Sequence, residues 1–232
     1  MDNLIKLSCP SEGLGDTLIL TCICKHLLAN NKKPIVSLPA KIKRFSILFD
    51  GIADVIIEDV NQYLPDLGGG HYATRKLRNF FQHAELLDNR PLVLHSNQES
   101  EIWTANYLIN KINPVIFVPH CAKQWHEVRS LKVDSYEQLF DKLISDGLTP
   151  IICQSSSNPI SIKYENILTD LELSKYICLL RKVGLYVGCN TGDMHLAISV
   201  GAHCQVIQPQ NHPLFNADEW NYNHPSITYY QL

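Results

Sequence analysis

The stretch that indicates the fold of this chain most clearly is Val187–Ala197, which reads VGCNTGDMHLA. The apolar run at 185–189 predicts a buried strand, and residues 193–200 have the pattern of a helix. A strand that passes into a helix through an Asn-Thr-Gly turn is typical of parallel α/β proteins. In such proteins, ligands bind beyond the carboxyl ends of the strands.

The turn at 190–192 has the chemistry of an anion site. The first backbone N–H groups of a helix have no partner inside the helix, and the helix dipole favours a negative charge there. Thr191 adds a hydroxyl, and His195 lies one turn further on, within reach of a phosphate or a ribose. The alternative interpretation is purely structural: Asn190 and Thr191 cap the helix, and His195 is an ordinary polar residue.

A second unusual turn, Glu12–Thr17, reads EGLGDT and follows the first predicted strand. Gly13 and Gly15 permit a tight turn and a close approach of the backbone to a ligand. The likeness to a dinucleotide fingerprint is partial, because the third glycine position holds Leu18 and no acidic residue ends the second strand at 37–39. These departures argue against a nicotinamide-dependent dehydrogenase.

Asp16 lies where this second turn enters the helix. One interpretation is an N-cap, because aspartate is favoured at that position. The other is a general base that faces a ligand site.

Apolar runs and helical periodicity alternate along the whole chain. Strands are expected at 4–8, 34–38, 54–57, 91–94, 115–118, 149–153, 185–189 and 204–208. Helices are expected at 17–30, 43–50, 72–82, 99–109, 135–145, 172–182 and 193–200. This alternation predicts an α/β fold of parallel sheets covered by helices. The pattern restarts near residue 112, which predicts two Rossmann-like domains, 1–112 and 113–232.

Composition excludes several classes of protein. The chain has 232 residues, of which 45% are hydrophobic and 19% charged, and its net charge is −3. These values exclude a disordered chain and show no footprint of a nucleic-acid-binding protein. No apolar run approaches the roughly 20 residues of a membrane helix. Residues 1–6 lack the features of a secretion signal, so a cytoplasmic location is expected.

The cysteines number eight, and most of them lie in apolar strand or helix patterns. This placement is typical of small buried hydrophobic residues in a reducing compartment rather than of a disulfide framework. No Cys-x-x-Cys pair is present, and the nearest metal-like groups are His120 with Cys121 and His203 with Cys204. We therefore expect no metal site and no cofactor. The motifs of P-loop kinases, serine hydrolases and zinc proteases are also absent.

Together, the two turns resemble a known family. Gly13–Leu20 (GLGDTLIL) is similar to the N-terminal motif of glycosyltransferase family 9, the ADP-heptose:lipopolysaccharide heptosyltransferases. Cys189–Ala197 (CNTGDMHLA) is similar to the second motif of that family, Asn-Asp-Thr-Gly-Pro-Met-His-Leu-Ala. The order of the motifs and the strand after Gly201 also fit, so the chain resembles a shortened member.

The resemblance implies a GT-B-like architecture, in which two Rossmann-like domains face each other across a cleft. It implies an inverting, metal-independent transfer of a sugar from a nucleotide-diphosphate sugar, such as ADP-heptose, to a glycan or lipopolysaccharide-type acceptor. The domain 1–112 would bind the acceptor and 113–232 the donor. The implied partners are a nucleotide sugar and a glycan or lipid-linked glycan, with peripheral contact at the inner face of the membrane.

The resemblance also assigns residues. Asp16 matches the proposed catalytic base, and Thr191, Gly192 and His195 match contacts to the nucleotide diphosphate. A family lysine that neutralises the leaving diphosphate is matched best by Lys132, with Arg129 and Lys123 as substitutes; each also fits a solvated loop. The expected substrate-binding set is Gly13, Gly15, Thr17, Arg129, Lys132, Asn190, Thr191, Gly192, Asp193 and His195. Arg75, Lys76 and Arg78 fit an anionic acceptor, a membrane surface or a solvated helix face.

Departures from the family pattern concern both halves. The family aspartate before Thr-Gly is Asn190, and the family proline is Asp193. An acidic residue at the start of the helix repels a diphosphate unless its side chain turns away. The N-terminal half is also short, which implies a reduced acceptor side. Two alternatives stay open: a non-catalytic nucleotide- or sugar-binding protein of the same fold, and a sugar-nucleotide epimerase or hydrolase.

Overall fold

The structure is a computed structural model that describes residues 3–9, 12–58, 90–121, 130–208, 222 and 224–231. The chain divides into two compact units: the first holds the described residues up to His95 together with Tyr222, and the second holds those from Ser96 to Gln208 and from His224 onward. The sequence predicted a boundary at residue 112. The difference is one helix, which packs against a helix of the second unit and so belongs to that unit.

The first unit is built on a parallel sheet of β1 (Leu4–Ser8), β2 (Lys33–Leu38) and β3 (Asp54–Ile57), in the order β1-β2-β3. Helix α1 (Leu14–Ala29) connects β1 to β2, and a 3-10 segment (Ala40–Phe49) connects β2 to β3. The apolar side chains of α1 are buried almost all round, from Leu18 to Leu27. A helix that is apolar on most of its surface is held by the core on most sides.

The second unit contains β4 (Pro114–Val118), β5 (Thr149–Gln154), β6 (Ile167–Thr169), β7 (Leu185–Cys189), β8 (His203–Gln208) and β9 (Ile227–Gln231). Within the described residues they form one parallel sheet in the order β6-β5-β4-β7-β8-β9. Its helices are α2 (Gln98–Leu108), α3 (Val133–Ser145), α4 (Leu173–Val183) and α5 (Gly192–Ser199).

The sheet core of the second unit is formed mainly by apolar residues of the central strands and of α3. Val115, Phe117, Ile152 and Val187 are nearly or completely buried, and Phe140 of α3 packs against Phe117. Strands buried on both faces need continuous apolar runs rather than alternation. This is why the sequence shows such runs in β4, β5 and β7.

The predicted α/β class is confirmed, and most predicted elements agree with the structure to within three residues at either end. The strand expected at 91–94 is wrong. Residues 91–94 join no described strand, and the Leu92 N–H donates instead to the Thr21 hydroxyl of α1 (2.9 Å). The sequence did not predict β6 or β9. The helix expected at 72–82 lies outside the described residues.

Helix α2 has an unusual distribution of polarity. The sequence places Ile102, Ala105 and Ile109 on one helical face, and that face is exposed: Ile102 is 55% and Ile109 77% accessible. The buried residues of the helix are Ser100 and Thr104. Ser100 donates to the hydroxyl of Ser174 in α4 (3.0 Å), so polar contacts contribute to the packing of α2 on α4.

All eight cysteines lie in the described part of the chain, and all of them are free thiols. Seven are buried, and Cys153 is partly buried. The sequence-based interpretation of the cysteines as small apolar core residues is therefore confirmed.

Candidate functional site

The order of the second sheet defines a ligand position. From β4 the chain proceeds through α3 to β5 on one side, whereas β7 lies on the other side of β4 and continues to β8. Neighbouring strands whose connections leave in opposite directions form a crevice at their carboxyl ends, where α/β proteins bind ligands. Here the crevice lies between the end of β4 and the turn at 190–192, which is the anion-binding turn predicted from the sequence.

The backbones of β4 and β7 approach each other closely below this crevice. A Cβ at Gly188 would overlap the carbonyl oxygen of Val118, so only glycine fits there. The Pro119 carbonyl oxygen accepts hydrogen bonds from the Cys189 thiol (2.8 Å) and the Leu131 N–H (3.0 Å). These contacts hold the end of β4, the end of β7 and the approach to α3 together.

Helix α5 begins at this crevice, and Thr191 is its N-cap. The Thr191 oxygen accepts a hydrogen bond from the Asp193 backbone N–H (3.2 Å). The same hydroxyl donates to Oδ2 of Asp193 (3.2 Å). The cap interpretation is therefore confirmed, with Gly192 as the first helical residue, and anion binding at the same turn stays a prediction. Both hydrogen-bonding functions of the Thr191 hydroxyl are engaged with Asp193.

The carboxyl of Asp193 lies beside buried hydroxyl groups. Burial raises the pKa of this carboxyl above its ordinary value, while the nearby hydroxyls of Tyr176 and Thr191 oppose the shift. Burial, and then the charge of Asp193, raise the pKa values of Tyr176 and Tyr186 well above their ordinary range. These two tyrosines belong to α4 and β7, so the carboxyl of Asp193 lies among groups of the second unit.

Asn190 is the residue between β7 and the cap. It is 6% exposed, and its Nδ2 has no hydrogen-bond partner among the described residues. Unsatisfied buried amide groups are rare in native proteins and each needs an explanation.

The remaining predicted residues of the second unit differ in accessibility. His195 is 4% exposed, in the first turn and a half of α5. Lys132 is exposed and occupies the N-cap position of α3, the helix that follows β4 at this same edge of the sheet. Arg129 and Lys123 lie outside the described residues. Contacts of His195, Lys132 and Gly192 with a ligand stay predictions.

His120, which the sequence marks only as part of a metal-like group with Cys121, is a further residue at the crevice. It lies just beyond β4, and its ring packs edge-on against Tyr136 of α3, with 5.1 Å between the ring centroids. The hydroxyl of Tyr136 is hydrogen-bonded to Ser161 (2.5 Å). His120 follows β4, the strand at the switch point, where the connections of neighbouring strands leave in opposite directions. Its place at the crevice can be recognised only once the order of the strands is known.

The glycine turn of the first unit follows β1, as predicted. Gly13 is the N-cap of α1, and Asp16 is the third residue of the helix, so the N-cap interpretation of Asp16 is wrong. Thr17 is completely buried and donates to the Gly13 carbonyl oxygen (2.9 Å). Gly15 and Asp16 are partly buried. Substrate contacts of Gly13, Gly15 and Thr17 stay predictions, as does the role of Asp16 as a base.

Within the described ranges, no group of three or more His, Cys, Asp or Glu side chains is arranged to hold a metal ion. Among the helices that the structure describes, none is both long enough and apolar enough to cross a membrane.

Comparison with solved structures finds close similarity of fold at low sequence identity. The ADP-heptose lipopolysaccharide heptosyltransferase II of E. coli has a TM-score of 0.77 and 12% identity, over 100% of this chain and 91% of that chain. A family 9 glycosyltransferase from Veillonella parvula has a TM-score of 0.76 and 10% identity, over 100% of this chain and 88% of that chain. The iron-containing dodecameric glycosyltransferase TibC of enterotoxigenic E. coli has a TM-score of 0.65 and 13% identity, over 98% of this chain and 62% of that chain.

No protein-family model and no curated protein sequence matches the chain. The resemblance is therefore carried by three-dimensional structure and by two short motifs. At 10–13% identity the structural comparison establishes the fold alone. This chain has the α/β fold of the ADP-heptose heptosyltransferases and of glycosyltransferase family 9.

Proposed function

We propose that this protein is a glycosyltransferase that transfers a sugar from a nucleotide-diphosphate sugar to a glycan or lipopolysaccharide-type acceptor. The observation that carries the proposal is the start of α5. A Thr191-capped helix begins at the switch point of the sheet, within a motif that is similar to that of family 9. The donor is expected to resemble ADP-heptose, the substrate in the name of the E. coli neighbour.

The chemistry of glycosyl transfer suits this arrangement. The transition state develops positive charge on the sugar ring and negative charge on the leaving diphosphate. Backbone N–H groups at a helix start stabilise the second charge, because they are oriented before the reaction begins. The Lys132 ammonium, exposed at the neighbouring helix start, would add a mobile positive charge. The reaction would then need no metal ion.

Asp16 is proposed as the general base. A carboxylate that takes the proton of the attacking acceptor hydroxyl makes that oxygen a better nucleophile. Direct attack on the anomeric carbon, on the face opposite the leaving diphosphate, inverts its configuration. The acceptor is proposed to be a glycan or lipid-linked glycan, met at the cytoplasmic face of a membrane.

The experiment that tests the proposal is a panel of ADP-, UDP-, GDP- and CDP-sugars, with thermal melting and slow donor hydrolysis as readouts. We expect the ADP-sugar to raise the melting temperature most, because a ligand that binds only the folded state stabilises it. Hydrolysis should persist in excess EDTA and be lost in Asp16→Ala. If no nucleotide shifts the melting temperature, the transferase proposal is wrong.

The same panel distinguishes the binding-protein alternative. A melting shift without turnover, unchanged by Asp16→Ala, would identify a non-catalytic nucleotide- or sugar-binding protein. Metal-stimulated activity that EDTA abolishes would contradict metal independence and leave the transfer reaction itself intact.

A further inference from the structure

We propose that Asn190 takes the place of Thr191 as the side-chain hydrogen-bond donor to the diphosphate of the nucleotide. The inference rests on the proposed function, since it concerns the same anion site. It deepens that function by assigning the recognition of a phosphoryl oxygen to a residue that departs from the family motif.

Two hydrogen-bond donors at the start of α5 already have partners inside the protein. The Thr191 hydroxyl has one hydrogen, which it donates to Oδ2 of Asp193 (3.2 Å). The backbone N–H of Asp193 donates to the Thr191 oxygen (3.2 Å). Because of these two bonds, one hydroxyl and one backbone N–H at the helix start are already committed inside the protein. An anion at this position would need another donor.

The side-chain amide of Asn190, by contrast, is unsatisfied among the described residues. Its Nδ2 carries two N–H donors, has no partner among the described residues, and belongs to a side chain that is 6% exposed. Leaving a buried donor unsatisfied costs the free energy of its lost hydration. Asn190 directly precedes the Thr191 cap at the end of β7, so an anion at the α5 N-terminus is within reach of an amide at this position.

The chemistry of a phosphoryl oxygen matches that of this amide. A phosphoryl oxygen is an acceptor only, and it matches an N–H group that has no acceptor inside the protein. A hydrogen bond to a charged oxygen is stronger than one to a neutral hydroxyl. A carboxylate in place of the Asn190 amide would offer no hydrogen-bond donor. The free amide of Asn190 and the bond between Thr191 and the Asp193 carboxyl are thus two parts of one arrangement.

The test compares Asn190→Asp and Asn190→Ala with the natural chain, using calorimetric titration with ADP, AMP and ADP-glucose. Removing a hydrogen bond to a charged oxygen should weaken ADP binding about tenfold or more. Both variants lack the amide donor and should bind ADP more weakly, and the loss of affinity should be smaller for AMP than for ADP. Asn106→Asp makes the same charge change on the exposed surface of α2 and should leave ADP binding unchanged.

A second pair of variants tests the link to Thr191. Asp193→Ala and Asp193→Asn both remove the carboxylate charge, but only the alanine leaves the Thr191 hydroxyl without an acceptor. In the Asn190→Ala background, Asp193→Ala should restore ADP affinity by more than Asp193→Asn does, because the released hydroxyl can donate to the diphosphate. Thermal melting of each variant without ligand controls for folding.

The outcomes separate the two proposals. If the natural chain binds ADP and both Asn190 variants bind it equally well, this inference is wrong and the proposed function stands. A loss confined to ADP-glucose would place the Asn190 contact on the sugar and would also overturn it. If the natural chain binds none of ADP, UDP, GDP and CDP, the proposed function fails and the inference falls with it.

Discussion

The hydroxyl of Thr191 donates to the carboxylate of Asp193 and accepts from the backbone N–H of the same residue, both at 3.2 Å. This reciprocal pair closes the first turn of α5. It also explains how an acidic residue is accommodated where the resembling family has proline. Its carboxyl lies beside the hydroxyl groups of Thr191 and Tyr176.

Asp193→Asn should make stability less dependent on pH. Burial raises the pKa of the Asp193 carboxyl in the folded state above its ordinary value of 3.8. The folded state therefore binds more protons, and stability falls as pH rises from about 4 to the raised folded pKa, then levels off. The melting temperature of the variant should exceed that of the natural chain by an amount that grows over this window.

Melting temperatures between pH 4 and pH 8 check this prediction. Asp141→Asn, on the exposed surface of α3, is the matched control and should show no such growth. A constant difference between Asp193→Asn and the natural chain across the pH range would contradict the assigned burial effect.

Thr191→Val should destabilise the protein by about 1 kcal/mol, because a valine cannot accept the Asp193 N–H at the N-cap. Thr191→Ser keeps the hydroxyl and should lose much less. Urea denaturation measures both values. Equal stability of the valine and serine variants would show that the cap contributes nothing.

Gly188→Ala should lower the free energy of unfolding by about 2–3 kcal/mol or more. The Val118 carbonyl oxygen belongs to the backbone and cannot move aside without disturbing β4. Gly147→Ala is the informative comparison. Gly147 has φ +77° and open space around it, so its cost is backbone strain alone, about 1 kcal/mol. The order of the two losses in chemical denaturation checks the close approach of β4 and β7.

Asp16→Asn should lower kcat by about 100-fold or more if Asp16 is the general base. Binding of ADP should be unchanged, because the donor site is assigned to the second unit. Glu12→Gln, in the same turn and exposed with its partner Lys41, is the control and should retain activity. A fall in ADP affinity without a fall in kcat would remove Asp16 from the chemical step.

Ile109→Glu should change stability by no more than about 0.5 kcal/mol, since the side chain is 77% exposed. Thr104→Glu, on the opposite side of α2, places a charge at a completely buried position and should destabilise strongly. If the two variants behave in the reverse way, the orientation of α2 is wrong.

Most of the fold could be predicted from the sequence because parallel strands leave a strong local signal. Runs such as 115–118 and 185–189 are apolar throughout, and each is followed by turn residues and helical periodicity. β6 and β9 gave no such signal, since Ile167–Thr169 is short and Ile227–Gln231 carries polar and aromatic residues. Their strand character comes from pairing with β5 and β8.

The face of α2 could not be predicted for a related reason. Periodicity shows that Ile102 and Ile109 share a face, but it does not show whether that face is covered. The contact between Ser100 and Ser174 is made between residues 74 positions apart, so it depends on tertiary structure. In the same way, the sequence located the turn at 190–192 but could not show that Thr191 and Asp193 engage each other.

The distribution of thiols makes the two units separately observable. Cys9, Cys22 and Cys24 are buried in the first unit, and Cys178, Cys189 and Cys204 are buried in the second. A buried thiol reacts with an alkylating reagent only when its surroundings open, so the rate of modification reports local unfolding. Mass spectrometry of the modified peptides can therefore measure the opening of each unit in the unaltered protein, with and without nucleotide.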